Sequence, residues 1–260
     1  VRDHRQHMLE KLANVEIFRE SVLTADDILA LGADHVVLAT GSRWRRDGIG
    51  IAGTRPVPIA ADAAIATPDD LGEGADPILI YDDDHYFMAG ALAEMFARAG
   101  RRVIYATRNP IVSAWTQMTD EQYLVEALLA GLGVEIRLSL TLGAIAGTRA
   151  TFIGPLGSGE TAIEAGRIVL VTGRLPRDEL YTELTGLAEA PPVTRIGDCL
   201  VPGPIADAVF AGHRFAREFE ADVAPLRRER PEPRLDVGLE ERPLALVLFL
   251  GERVAPRPRE

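Results

Sequence analysis

Three short segments carry residue types that let a backbone come close to a ligand: Ala39-Thr40-Gly41, Thr172-Gly173-Arg174 and Ile196-Gly197-Asp198. The first two close apolar runs, His35–Ala39 and Arg167–Val171. A strand ending on small residues opens its carboxyl-terminal backbone to the sheet edge, where α/β folds hold dinucleotides. One copy alone reads as an ordinary strand exit. Two copies about one domain apart read as paired dinucleotide-type units.

The turn Tyr81-Asp82-Asp83-Asp84-His85 stands where a nicotinamide-binding unit needs glycine, and no glycine follows until Gly90. Each like-charge contact at about 4 Å costs on the order of 1 kcal/mol in water and several times that near a protein surface. NAD(P)H is therefore not expected there. The structural alternative for these carboxylates is helix capping, with Asp84 at or near the N-cap. His85 beside three carboxylates has ligand chemistry, but consecutive residues in a turn rarely converge on one ion, so no metal is expected. Cys199 reads as a small buried residue rather than a reactive thiol. His213 falls mid-helix in a packed or surface role. Arg43, Arg45 and Arg46 read as a solvated loop, with anion capture as the alternative.

The elements that must position these residues follow from pattern and punctuation. Residues 2–13 predict a polar helix and Val15–Phe18 a short strand. Thr24 with Asp26 and Asp27 predicts a capped helix start ahead of Ile28–Leu31, which Gly32 ends. His35–Gly41 predicts a buried parallel strand. Residues 45–76 predict a loop or inter-domain crossing, with a short helix near 67–71. From Pro77 a βαβ unit is expected: strand 78–81, helix 86–99, strand 102–106. A helix at 119–130, a strand at 134–138, a hairpin insertion over 143–165 and a strand at 167–173 continue it. Val193–Asp198 predicts a further strand, and Ile205 to about Glu220 a helix. Residues 229–260 turn to Arg, Glu and Pro and are expected to be extended or disordered, with 244–250 their one strand candidate.

Composition narrows the function classes. The chain has 260 residues, 47% hydrophobic and 26% charged, enough for two modest domains with real cores. A net charge of -11 argues against nucleic acid, which needs clustered cations, and leaves an acidic face for a basic protein partner. The single cysteine, Cys199, excludes an intrachain disulfide, an iron–sulfur cluster and a Cys-rich zinc site. That fits a reducing, cytoplasmic setting. No run approaches the roughly 20 apolar residues of a membrane span. The opening, Val1-Arg2-Asp3-His4-Arg5, has no signal-peptide pattern and reads as if cut from within a helix.

The ordered trio resembles the flavoproteins with two dinucleotide-binding domains. With the turn Tyr81–Gly90, the run Ala39–Gly48 and the segments Ile196–Asp198 and His213–Glu218, residues 1–228 are similar to the C-terminal half of the trimethylamine/dimethylamine/histamine dehydrogenase family. The resemblance implies an α/β fold of two interleaved Rossmann-like units with parallel sheets, the first incomplete at its N-terminus. It implies a partial ADP- or FAD-type domain at 1–75 plus 190–228 and a second Rossmann-like domain at 76–189. In the family an N-terminal TIM barrel carries FMN and an iron–sulfur cluster, passes electrons to an electron-transferring flavoprotein, and is followed by a region holding ADP where related reductases hold FAD. This chain is expected to lack that barrel, its catalytic residues and the first strand with its Gly-x-Gly-x-x-Gly turn. By position in the family, Glu20 and Ser21 would offer backbone groups to adenine, or form a solvated loop. Thr40, Gly41 and Trp44 would line the turn near the phosphates, Trp44 with core packing as its alternative. Gly197 and Asp198 would face the place of a ribityl chain. Two other readings stand beside this one: an FAD- and NAD(P)H-dependent reductase resembling dienoyl-CoA reductase, and a non-catalytic subunit pairing with a separate barrel chain.

Overall fold

The computed structural model describes residues 2–51 and 53–219, so the expectations for 229–260 and for the strand at 244–250 lie outside the described residues. The described residues divide into two compact units, 2–42 with 176–219, and 43–51 with 53–175. The division therefore falls at 42/43 and 175/176 instead of the expected 75/76 and 189/190. The reason is packing. Val57, Ile59 and Ile65 join the core of the second unit, whereas Leu180, Leu184 and Leu187 join that of the first.

In the first unit, helix α1 spans Arg2–Leu9 and helix α2 spans Ala25–Ala30. The capping signal at Thr24 is realised in full. Its hydroxyl accepts from the Asp27 amide, and the Asp27 carboxylate accepts from the Thr24 amide. That exchange satisfies two amide donors that a helix start otherwise leaves unpaired. Strand β1 is Val36–Leu38, buried throughout. Val15–Phe18 forms no strand: the Val15 amide turns back to the Leu12 carbonyl at 3.2 Å, Phe18 is two-thirds exposed, and among the described residues no strand pairs with the segment. The chain leaves this unit through strand β2, Ser42–Trp44.

The second unit holds β3 (Ile65–Ala66), β4 (Ile78–Asp82), α3 (Met88–Arg98), β5 (Val103–Thr107), α4 (Gln122–Gly131), β6 (Glu135–Arg137), β7 (Thr141–Ala146), β8 (Arg149–Ile153), β9 (Glu160–Glu164) and β10 (Arg167–Val171). No helix forms near 67–71, where Thr67 and Asp70 instead make an isolated bridge. The five-stranded sheet runs β3-β10-β4-β5-β6 and is parallel at every pairing. This is a Rossmann-like parallel order, with helices on one face and an antiparallel layer on the other, as the expected α/β fold class requires. Strand β4 shows how the sequence specifies it. Ile78 and Ile80 face the layer of α3 and α4, while Leu79 and Tyr81 face the antiparallel β7-β8-β9 layer. With both faces covered, the strand is apolar without alternation.

The return to the first unit runs through β11 (Arg174–Pro176), which pairs with β2. Helix α5 (Glu179–Thr185), strand β12 (Val193–Arg195) and helix α6 (Ile205–Glu218) complete the described chain. β12 pairs parallel with β1, Val37 opposite Thr194. No helix among the described residues is long and apolar enough to cross a membrane.

Leu170 is fully buried in β10. Leu170→Ala is expected to cost about 2–5 kcal/mol in denaturant unfolding. Thr24→Ala, which removes only the exposed cap, should cost about 1 kcal/mol.

Candidate functional site

Parallel sheets present ligand-binding crevices at the carboxyl ends of their strands. In the first unit, that end gathers four of the expected residues. The chain after β1 carries Thr40 and Gly41, and the chain after β12 carries Gly197 and Asp198. Thr40 Oγ1 donates to the Arg177 carbonyl at 2.5 Å, and the Arg177 amide donates to the Gly41 carbonyl at 3.0 Å. Gly41 has φ +78°, and a Cβ placed on it would meet nothing within 4 Å, so this turn presents bare backbone to open space. Asp198 accepts from Ser42 Oγ at 2.9 Å and from the Gly203 amide at 3.1 Å. Cys199 is fully buried, its thiol donating to the Arg177 carbonyl at 3.3 Å, as a small packed residue should.

Glu20 and Ser21 are not brought to this end by any regular element; both are exposed, and Glu20 has φ +55°. Trp44 belongs to the second unit. Its ring packs against that unit's core beneath the Arg174 guanidinium, 5.3 Å from the ring centre. Ser42 and Arg177 were missed from sequence. Ser42 adjoins the Thr40-Gly41 turn and was legible there; Arg177 enters only because the chain returns from β11.

In the second unit, the corresponding crevice lies at the switch point between β4 and β10, and it is filled. The segment Arg45–Ile51 crosses it as a strap. The Gly173 amide donates to the Ile49 carbonyl at 2.8 Å, the Arg45 amide to the Gly173 carbonyl at 2.9 Å, and the Ile51 amide to the Asp83 carbonyl at 3.2 Å. One edge of the strap is thus tied to the exit of β10 and the other to the exit of β4. A Cβ on Gly50 would lie 2.0 Å from Asp83 Oδ2, so only glycine fits there. Gly48-Ile49-Gly50-Ile51-Ala52-Gly53 has the spacing of a dinucleotide fingerprint, yet it opens no helix. At Gly50 the glycine admits a neighbouring carboxylate, not a phosphate.

The Asp-rich turn caps no helix: the N-cap of α3 is Phe87, without a side-chain bond. The turn closes on itself instead. Asp82 Oδ1 accepts from the His85 amide at 2.8 Å, with His85 in the left-handed region at φ +63°. Asp82 Oδ2 accepts from the Tyr105 hydroxyl, which in turn accepts from the Ser113 amide at 3.1 Å. Asp83 Oδ1 stands 3.0 Å from His85 Nε2, both side chains about 5% exposed. Arg45 pairs with Asp47 at 2.6 Å, and Arg46 reaches the Ile65 carbonyl at 3.0 Å, so both serve local structure. His213 is exposed on α6. Among the described residues, no group of three or more His, Cys, Asp or Glu is placed to hold a metal ion.

Burial raises the Asp82 carboxyl from 3.8 to about 6, against the opposing pull of Tyr105 and the His85 amide. Burial also raises Asp84, with Arg174 opposing. The folded chain therefore holds the Asp82 proton more tightly than the unfolded chain does. The resulting stability is complete below about pH 4 and is lost as pH rises through about 6. Relative to Asp82→Asn, the wild type should lose about 3 kcal/mol across that window, measured by urea titration at each pH. Equal pH profiles for the two proteins would refute the assignment.

Comparison with known proteins agrees with this geometry. No protein-family profile matches the chain. It is 34% identical to dimethylamine dehydrogenase from Hyphomicrobium sp. (strain x), over 90% of this chain and 36% of that protein. Histamine dehydrogenase from Rhizobium sp. 4-9 superposes with a TM-score of 0.81 at 37% identity, over 90% of this chain and 36% of that one. The 6-hydroxypseudooxynicotine amine oxidase of Pseudomonas geniculata N1 gives a TM-score of 0.79 at 35% identity, over 84% and 34%. The chain thus spans about a third of the length of the relatives it matches. Over that third, it is homologous to the C-terminal part of the dimethylamine and histamine dehydrogenases.

Proposed function

We infer that this chain is the nucleotide-holding region of a flavin-dependent amine dehydrogenase, with ADP as its ligand and FAD as the alternative. The observation that carries this reading is the convergence of Thr40, Gly41, Gly197 and Asp198 at one sheet end, in a chain homologous to two amine dehydrogenases. The bare Gly41 turn suits close approach of a pyrophosphate, and the Thr40 and Gly41 tethers to Arg177 hold that turn in place. Asp198 orders the turn after β12 through Ser42 and Gly203, which fixes the floor of the site. ADP brings no redox chemistry, so its contribution here is structural.

On this reading, amine oxidation, FMN and the iron–sulfur cluster belong to a TIM barrel in the remainder of the protein or in a separate chain. This region would support that barrel and help dock an electron-transferring flavoprotein in the cytoplasm. The reductase alternative needs an open nicotinamide crevice in the second unit, where the strap Arg45–Ile51 lies instead.

The test is an absorbance spectrum of the purified chain, then acid release and identification of bound nucleotide. A colourless protein releasing ADP is expected, and Gly41→Val, which forces a branched residue to positive φ, should weaken ADP binding at least tenfold in calorimetry. A yellow protein releasing FAD would move the assignment to the reductase class. No retained nucleotide and no ADP binding would sink it.

A further inference from the structure

The second unit contains a buried polar cluster that the nucleotide reading does not use. Asp82, Asp83, His85, Ser113 and Thr172 are all at least 95% buried at the carboxyl end of the sheet. His85 Nδ1, Ser113 Oγ and Thr172 Oγ1 have no hydrogen-bond partner there, and Asp83 Oδ1 has only its contact with His85 Nε2. Each such group costs about 1–3 kcal/mol, which makes this end the least firmly held part of an otherwise apolar sheet. Over it lies the strap, whose Ile51 end is tied to the turn through the Asp83 carbonyl and whose Gly50 rests on the Asp83 carboxylate.

We propose that the strap Arg45–Ile51 is a pH-sensitive lid, closed in its resting state and opening far more often once Asp82 ionises. The charged and titratable groups facing Asp82 come from three directions. Tyr81 precedes it on β4, Asp83, Asp84 and His85 belong to its own turn, where Arg174 acts on Asp84, and Tyr105 comes from β5. Arg45 and Asp47 on the strap are already paired with each other. Ionisation of Asp82 thus adds a buried negative charge beside two further carboxylates. It can be hydrated only if the turn moves outward. The turn carries the Asp83 carbonyl, so its movement breaks the bond to the Ile51 amide and frees that edge of the strap. The fold of the unit persists, because β4, β5 and β10 are held by apolar layers on both faces. The lid does not depend on the nucleotide assignment, which concerns the other unit.

Amide hydrogen exchange on the full chain tests this, with each rate divided by its intrinsic value. Between pH 4 and 6, exchange at Ile51 should rise tenfold for each pH unit, roughly 100-fold in all, and then level off. Core amides such as Leu170 should stay more than tenfold slower. Asp82→Asn should flatten the strap profile. Tyr105→Phe, which removes a hydrogen bond that favours the ionised carboxyl, should carry the rise to higher pH. Gly50→Ala should give fast strap exchange at every pH, because its Cβ cannot coexist with the closed Asp83. The proposal is overturned if Ile51 and Leu170 exchange in parallel, if Asp82→Asn keeps the rise, or if Tyr105→Phe leaves the profile in place.

Discussion

A parallel strand paired on both sides and covered on both faces has no room for polar side chains along its length, so its polar groups collect at its ends. β4 and β10 obey this constraint. Residues 78–81 and 168–171 are apolar and buried, and the sequence changes abruptly to Asp82-Asp83-Asp84-His85 and Thr172-Gly173-Arg174 where the strands stop. What can happen at such an end depends on what satisfies those groups. In this unit, the His85 amide and the Tyr105 hydroxyl satisfy Asp82, while His85 Nδ1 and Thr172 Oγ1 are left without a partner.

The two units show the same kind of sheet end in opposite conditions. After β1, the Gly41 turn is tethered from behind and faces open space. After β4 and β10, the equivalent space is crossed by chain, and Gly50 and Gly173 are glycines because a side chain would collide with Asp83 or with the Ile49 carbonyl. Glycine thus serves access in one unit and closure in the other. Gly90 shows a third use: a Cβ there would come within 3.0 Å of Val125, so it sets the approach of α3 to α4.

Much of this architecture was legible in the residues. The β4-α3-β5 unit, the Thr24 capping box and the echo between 35–41 and 167–173 follow from local patterns that the structure reproduces. The failures have one physical cause, which is that pairing and packing are not local. Val15–Phe18 has strand composition but no partner strand among the described residues. Residues 45–76 read as a loop or inter-domain crossing, yet Val57, Ile59 and Ile65 pack against a core with members more than a hundred residues away. Asp84 has a capping residue's chemistry, but the turn spends its hydrogen bonds on closing around His85. At the candidate site, Thr40, Gly41, Gly197 and Asp198 were visible as strand exits. The partnership with Arg177 required the chain to return.

The placement of the aromatic side chains also determines how this protein can be watched. Its two tryptophans, Trp44 and Trp115, both lie in the second unit, one beneath Arg174 and the other half exposed. Tryptophan fluorescence therefore reports mainly on that unit, while the turn carrying Thr40 and Gly41 has no indole of its own. An optical unfolding curve can look complete while the first unit remains folded. Occupancy of the Gly41 turn has to be followed through the ligand or through a probe placed there.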